Sequence, residues 1–330
     1  MSEKANDNRP ILPDARILFV TVDTEADDQW DPEKPPTTEN SRFLPRFQSL
    51  CEEYGFYPVW LTDYEMACDS RFSDFAGEKA ADGLCEIGMH LHPWTTPPGA
   101  ALAATTTNRP FLIEYAEDVM DEKIGQMTDM LKSVFGTVPT THRSGRWAMD
   151  ERYFRLLSKY GYRVDCSVTP HVDWAPSKGA TGMPGTDYSS APEHPYYTPE
   201  GILEIPMTVR RMHVFEKSRV KNARTLIREV RHFVQGTEQW LRAFDTDSED
   251  GLEKLMGRVF SQETGPLMFM LHSSELMPGG SPAFRSKEDV EKLYGMTERV
   301  FKTAADHGFK GMTLKGYGEE TERLNADDRE

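Results

Sequence analysis

Apolar runs of strand length alternate along this chain with stretches in which apolar residues recur every three to five positions. RILFVTV from Arg16, FYPVWL from Phe56, LCEIGMH from Leu84, TVPTTHR from Thr137, YRVDCSV from Tyr162, ILEIPMTV from Ile202, PLMFMLH from Pro266 and FKGMTL from Phe309 read as strands. Between them, Val119, Ile124, Met127, Leu131 and Val134 form a helical stripe that stops at Gly136, a residue suited to a left-handed cap. Phe43, Phe47, Leu50, Cys51 and Tyr54 form another, ending at Gly55. Asp150 is placed to N-cap a third helix, Glu151 to Tyr160. This order predicts one α/β domain over 15–316, either a barrel or a doubly wound sheet, between polar tails at 1–14 and 317–330. Neither GxGxxG nor a P-loop pattern occurs, which weakens a nucleotide-binding doubly wound sheet. The loops at 93–112 and 170–200 exceed ordinary connections and read as lids or groove walls.

With 38 % hydrophobic residues, 330 positions are enough to bury a substantial core. The net charge of −16 argues against a nucleic-acid partner, whose binding draws on Lys and Arg. A stretch from Arg210 through Arg211, Lys217, Arg219, Lys221, Arg224 and Arg228 to Arg231 runs against that balance, and reads more as a solvated helical face than as an anion site. The start, MSEKANDNRP, has no apolar export segment and no run is long enough to span a bilayer, so a cytoplasmic protein is expected. Cys51, Cys68, Cys85 and Cys166 lack CxxC spacing and read as reduced thiols.

Polar residues gather where the strands end. Asp23 and Glu25 follow the first strand, His90 and His92 the third, His142 and Arg143 the fourth, Asp165 the fifth and His272 the seventh. That edge is where barrels and open α/β sheets assemble chemistry. Residues two apart in an extended segment point the same way, so Asp23 and Glu25 share a direction, as do His90 and His92. Two imidazoles and a carboxylate suit Zn²⁺ or a related ion; hydrogen-bonded packing at a strand end is the other reading of the histidines. Trp94, Trp147 and Trp174 lie in loops beside these ends, as core packing or as platforms for a sugar.

In order, TVDTEAD, GMHLHPW, HRSGRW, VDCSVTPHVDW and FMLHSS resemble the motifs of the polysaccharide deacetylases, the NodB-homology or carbohydrate esterase family 4 group, in a branch with an HLHPW-type second motif. The resemblance implies a distorted (β/α)7–8 barrel and a metal-dependent hydrolase removing N- or O-acetyl groups from a sugar or glycoconjugate. It makes Asp23 the base, Glu25 a metal ligand together with His90 and His92, and Arg143 the residue that orients the base. Asp165 would tune the catalytic histidine and His272 would be the acid. Trp94 stands where the family's usual second histidine would be, so His92 is the candidate replacement. The ion implied is Zn, with Co or Ni as alternatives. A small non-sugar amide as substrate, or a degenerate member that binds a glycan or protein without turnover, remain as the other readings.

Overall fold

The computed structural model describes residues 11–12, 16–29, 35–215, 220–243, 249–263 and 265–327. In chain order these form β1 (Ile17–Thr24), α1 (Leu44–Glu53), β2 (Pro58–Thr62), α2 (Tyr64–Cys68), α3 (Ser70–Ala81), β3 (Glu86–Leu91), α4 (Glu117–Phe135), β4 (Thr141–Ser144), α5 (Glu151–Lys159), β5 (Val164–Asp165) and β6 (Tyr196–Tyr197). They continue with β7 (Leu203–Glu204), β8 (Val209–Met212), α6 (Ala223–Gln235), β9 (Thr237–Trp240), α7 (Glu249–Gln262), β10 (Leu267–His272), α8 (Lys287–Asp306), β11 (Lys310–Gly311) and α9 (Leu314–Asp327).

The main sheet runs β10-β1-β2-β3-β4-β5-β7-β6, with β11 beside the start of β1. Pairings from β10 to β7 are parallel and only β6–β7 is antiparallel. Late strand β10 lies against β1, and the parallel sheet curls into a half-barrel within one mixed α/β domain; of the two architectures the alternation allowed, this is the barrel. β8 and β9 form a separate antiparallel pair.

The period-2 pattern of β1 divides the apolar interior in two. Leu18, Val20 and Val22 pack outward with Trp60, Ile87 and Met89 against the helices. Phe19 faces inward with Val59, Leu61, Val164, Cys166, Met268 and Met270. Helix α4 buries Met120, Ile124, Met127 and Leu131 and ends at Gly136, whose φ of 72° is the left-handed cap expected there. Asp150 caps α5 by accepting from the Tyr153 amide at 2.9 Å.

The structure departs from the expected pattern in several places. The run from Thr137 is strand only at Thr141–Ser144, and the run from Ile202 breaks into β7 and the start of β8, because Ile205 and Met207 bond across to Asp165 and Val168 instead of extending one ladder. The β6 and β9 strands have no counterpart among the predicted runs. The C-terminal segment from 317 is not a tail: Leu314, Tyr317, Thr321 and Asn325 recur at helical spacing and are buried along α9, although the surrounding residues are polar. Of the N-terminal tail, Ile11 and Leu12 pack on the inner core, and 1–10 and 13–14 lie outside the described residues, as do Lys217 and Arg219 of the basic stretch.

Candidate active site

The inward phase of β1 continues past its apolar residues to Thr21, Asp23 and then Glu25, all buried. Register sets Asp23 beside His272 of β10, and His90 of β3 beside Arg143 of β4. Arg143 is fully buried, and its guanidinium crosses the barrel. Nη1 donates to Asp23 Oδ1 at 2.6 Å, Nη2 to Thr21 Oγ1 at 2.9 Å and Nε to the Cys166 carbonyl at 3.1 Å. Burial by itself would raise the Asp23 pKa, but the charge of Arg143, reinforced by His90, His272 and the hydrogen bond, outweighs it and holds the carboxyl below the usual range.

Glu25 Oε2 lies 3.4 Å from His92 Nε2 and 3.7 Å from His90 Nε2. Donor atoms from the three residues all fall within 4.8 Å of one another. Serine 273 pins the Glu25 backbone, donating to its carbonyl at 3.1 Å and accepting from its amide at 3.0 Å. His90 Nδ1 donates to the Arg143 carbonyl at 3.0 Å, which leaves the Nε2 lone pair aimed at the cluster. His92 is held in the neutral form, first by burial and then by the neighbouring His90. Its ring lies flat on Trp94, centroids 4.3 Å apart, and hard against Gly145, where an added Cβ would come within 2.5 Å of the imidazole. Two imidazoles and a carboxylate, all buried and with donor atoms within 4.8 Å of one another, are a donor set that fits a divalent cation. The adjoining loop is anchored from beneath by buried Lys123, which donates to the Thr96 and Pro98 carbonyls.

His272 Nε2 stands 3.8 Å from Asp23 Oδ2, and 18 % of its side chain is open to the cleft. Its backbone amide donates to Glu275 Oε2 at 2.9 Å, and Arg242 Nη2 donates to Glu275 Oε1 at 2.6 Å. Burial would lower the His272 pKa; Glu25 and the Glu275 carboxylate together raise it. The expected partner, Asp165, does not reach this histidine. It leaves β5 on the outward face, out of phase with the inward Val164 and Cys166, and accepts from His142 Nδ1 at 2.6 Å. Glu275 and Arg242 occupy the position expected of Asp165, and neither was singled out from sequence.

The cluster forms the floor of a cleft of about 1060 Å³. Trp94, Trp147 and Trp174 all line it, with Trp240 of β9 as a fourth that sequence reading missed. Trp147 stacks on Trp174 at 6.4 Å between centroids, and Trp240 meets both edge-on. Arg146, Trp147 and His171, three of the four non-glycine residues with left-handed φ among those described, also line the cleft. Backbone in that region is strained and is held by its surroundings. Tyr188, for example, donates to the Trp147 carbonyl at 2.7 Å.

Solved structures share this architecture. A candidate polysaccharide deacetylase from Mycobacterium smegmatis superposes with a TM-score of 0.51 at 14 % identity, covering 98 % of this chain and 96 % of that one. The likeness is one of fold. The Puue allantoinase gives 0.50 at 14 % identity, over 95 % and 93 % of the two chains. A GH57-type branching enzyme from Pyrococcus horikoshii gives 0.52 at 11 %, over 92 % and 70 %. No family model and no curated protein sequence matches the chain.

Proposed function

We propose that this protein is a metal-dependent hydrolase that removes acetyl groups from the nitrogen or oxygen of a sugar or glycoconjugate. One observation carries the reading: Glu25, His90 and His92 converge on a single buried point, beside a carboxylate kept ionised by Arg143, at the floor of a tryptophan-walled cleft. Glu25, His90 and His92 would hold a divalent cation, zinc first by donor set with cobalt or nickel as alternatives. Such a cation polarises the acyl carbonyl and makes water acidic.

The chain's own groups supply the remaining steps. Asp23, ionised and fixed through Oδ1 by Arg143, takes the proton released by the attacking water on Oδ2. His272, across from Oδ2 and backed by Glu275, gives a proton to the departing amine or alkoxide. The faces of Trp147, Trp174 and Trp240 offer an apolar wall for sugar rings, and burial of the floor keeps bulk water away.

The test is metal analysis of the purified protein together with acetate release from N-acetylated and O-acetylated oligosaccharides, with and without chelator. Bound metal and chelator-sensitive acetate release are expected. Absence of both sinks the hydrolytic reading, and glycan binding without turnover points to a binding protein. The allantoinase likeness favours one competitor, a small amide substrate; faster cleavage of small amides than of acetamido sugars in the same assay replaces the sugar with that class.

A further inference from the structure

Six large apolar side chains are exposed among the described residues, and five of them, Leu226, Ile227, Val230, Phe233 and Val234, lie on α6. Ile227 and Val234 are 71 % and 68 % exposed, values alien to a helix packed on its own protein. At 100° per residue the five fall within an arc of about 120°, and Arg224, Arg228 and Arg231 follow on its flank. Only Glu229, the helix's one acid, is buried. Three arginines therefore border an apolar stripe in a chain whose net charge is −16.

We propose that α6 is an interfacial helix that docks the protein on a bilayer surface rich in anionic phospholipid. An apolar arc with a basic flank suits burial at the headgroup boundary, where Arg meets phosphate and the stripe enters the acyl region. Arg224, Arg228 and Arg231 with His232 also line a surface recess of about 500 Å³, room for headgroups between the cations. A second copy of the chain fits the face less well. The 13-residue helix offers a strip about 20 Å long and about 10 Å wide, far short of the roughly 800 Å² per partner of a stable dimer. Such a dimer would also bring arginines together. None of the described helices is long and apolar enough to cross a membrane.

The helix is tied to the cleft by its connections. It joins β8 to β9, whose Arg211, Glu238 and Trp240 line the cleft, and His213 beyond β8 donates to the Phe233 carbonyl at its C-terminus. Docking would thus hold the cleft near the lipid surface. Resting on the deacetylase reading, this points to glycans carried on membrane lipids as the substrate class.

Co-sedimentation of the whole protein with vesicles of phosphatidylcholine, with and without phosphatidylglycerol, is the test. Pelleting is expected only with phosphatidylglycerol and should weaken as salt is added. Ile227→Asp with Val234→Asp should weaken it tenfold or more, Arg224→Glu with Arg231→Glu should also weaken it, and acetate release from soluble oligosaccharides should be unchanged in both. These positions are exposed, and melting curves matching the native protein certify the fold. Failure of the native protein to pellet, equal pelleting with neutral vesicles, or native-like pelleting of both variants overturns docking. A native dimer made monomeric by Ile227→Asp with Val234→Asp, without vesicle binding, overturns it in favour of self-association. Pelleting without acetate release keeps the helix and drops the enzyme; acetate release without pelleting does the reverse.

Discussion

His142 and Arg143 adjoin in sequence, yet they leave β4 on opposite faces and enter two different kinds of buried cluster. Outward, His142 is closed: Nδ1 meets Asp165 at 2.6 Å, Nε2 meets the Tyr153 hydroxyl at 2.8 Å, and none of the three side chains is exposed. Inward, Arg143 leads to Asp23 and so to Glu25, His90 and His92, where imidazole nitrogens stand 3.4 and 3.7 Å from a carboxylate oxygen, with the cleft above them. Both clusters combine histidine with carboxylate in a dry interior. What separates them is satisfaction. A buried polar group with its full set of partners stabilises the fold, while one held short of hydrogen-bond distance is costly unless a ligand completes it.

Matched substitutions put the comparison at risk most directly. Asp23→Asn should lower turnover by roughly 10²- to 10⁴-fold, the usual contribution of a positioned base. It also leaves the buried Arg143 cation without its counter-charge, at a cost of about 3 kcal/mol. Turnover per folded molecule, with the folded fraction taken from the melting curve, separates the two effects. Near-native turnover in Asp23→Asn would remove the base from the mechanism.

Glu86 sharpens the contrast from the far end of the barrel. It starts β3 on the inward phase shared with His90, its Oε2 accepts from the Lys315 amide at 2.9 Å, and the Thr141 hydroxyl lies beside the carboxyl. Burial pushes its pKa from 4.5 up to about 7. The folded state therefore holds a proton that the unfolded chain loses above about pH 4.5. Stability should fall as pH rises from there to about 7, by about 3 kcal/mol in all. Glu86→Gln should abolish that slope, making the variant more stable than the native protein near pH 8 and no different near pH 4. Parallel pH profiles for the two proteins in chemical denaturation would show that Glu86 titrates normally. A buried carboxyl with a displaced pKa is thus not by itself a site; it must also open onto a cleft.

Asp165→Asn tests the closed cluster. The amide keeps the shape but weakens the bonds from His142 and from the Ser167 amide and hydroxyl, so a loss of about 1–3 kcal/mol is expected. Turnover per folded molecule and metal content should stay native. A normal melting temperature with collapsed turnover would return Asp165 to the mechanism.

Much of this was legible because β-strand periodicity is two. The apolar phase of β1 places Asp23 and Glu25 on one side, and the same rule aligns His90 with His92, before any coordinates are known. Arg143 follows from register once β3 and β4 pair. Asp165 was misread because β5 is two residues long and gives the eye no phase; Cys166, following Val164 on the inward side, was the available sign. Glu275 and Arg242 could not be found locally. Their partnership with His272 spans a 3-10 turn and a chain separation of 33 residues between Arg242 and Glu275. Trp240 reaches the cleft on β9, a strand that exists only through its pairing with β8. The polarity of α9 hid a one-sided buried stripe in what reads as a tail.

The smallest expected effect concerns Trp94, the residue that stands where the resembled family would place a histidine. His90 is oriented by a hydrogen bond from Nδ1, but His92 Nδ1 is buried without one, and Asp63 Oδ2 at 3.9 Å is too distant to supply it. Stacking on Trp94 and the close fit against Gly145 are then what hold the His92 ring. Removing an orienting neighbour of a metal ligand costs roughly 10–100-fold in affinity, and a stack without a hydrogen bond belongs at the lower end. Trp94→Ala should therefore weaken zinc binding about tenfold, and Trp94→Phe should restore most of it. Titration against a competing chelator reads this without any turnover. Equal affinity in all three proteins would mean that Gly145 and the backbone suffice to aim His92, and that the tryptophan serves the cleft alone.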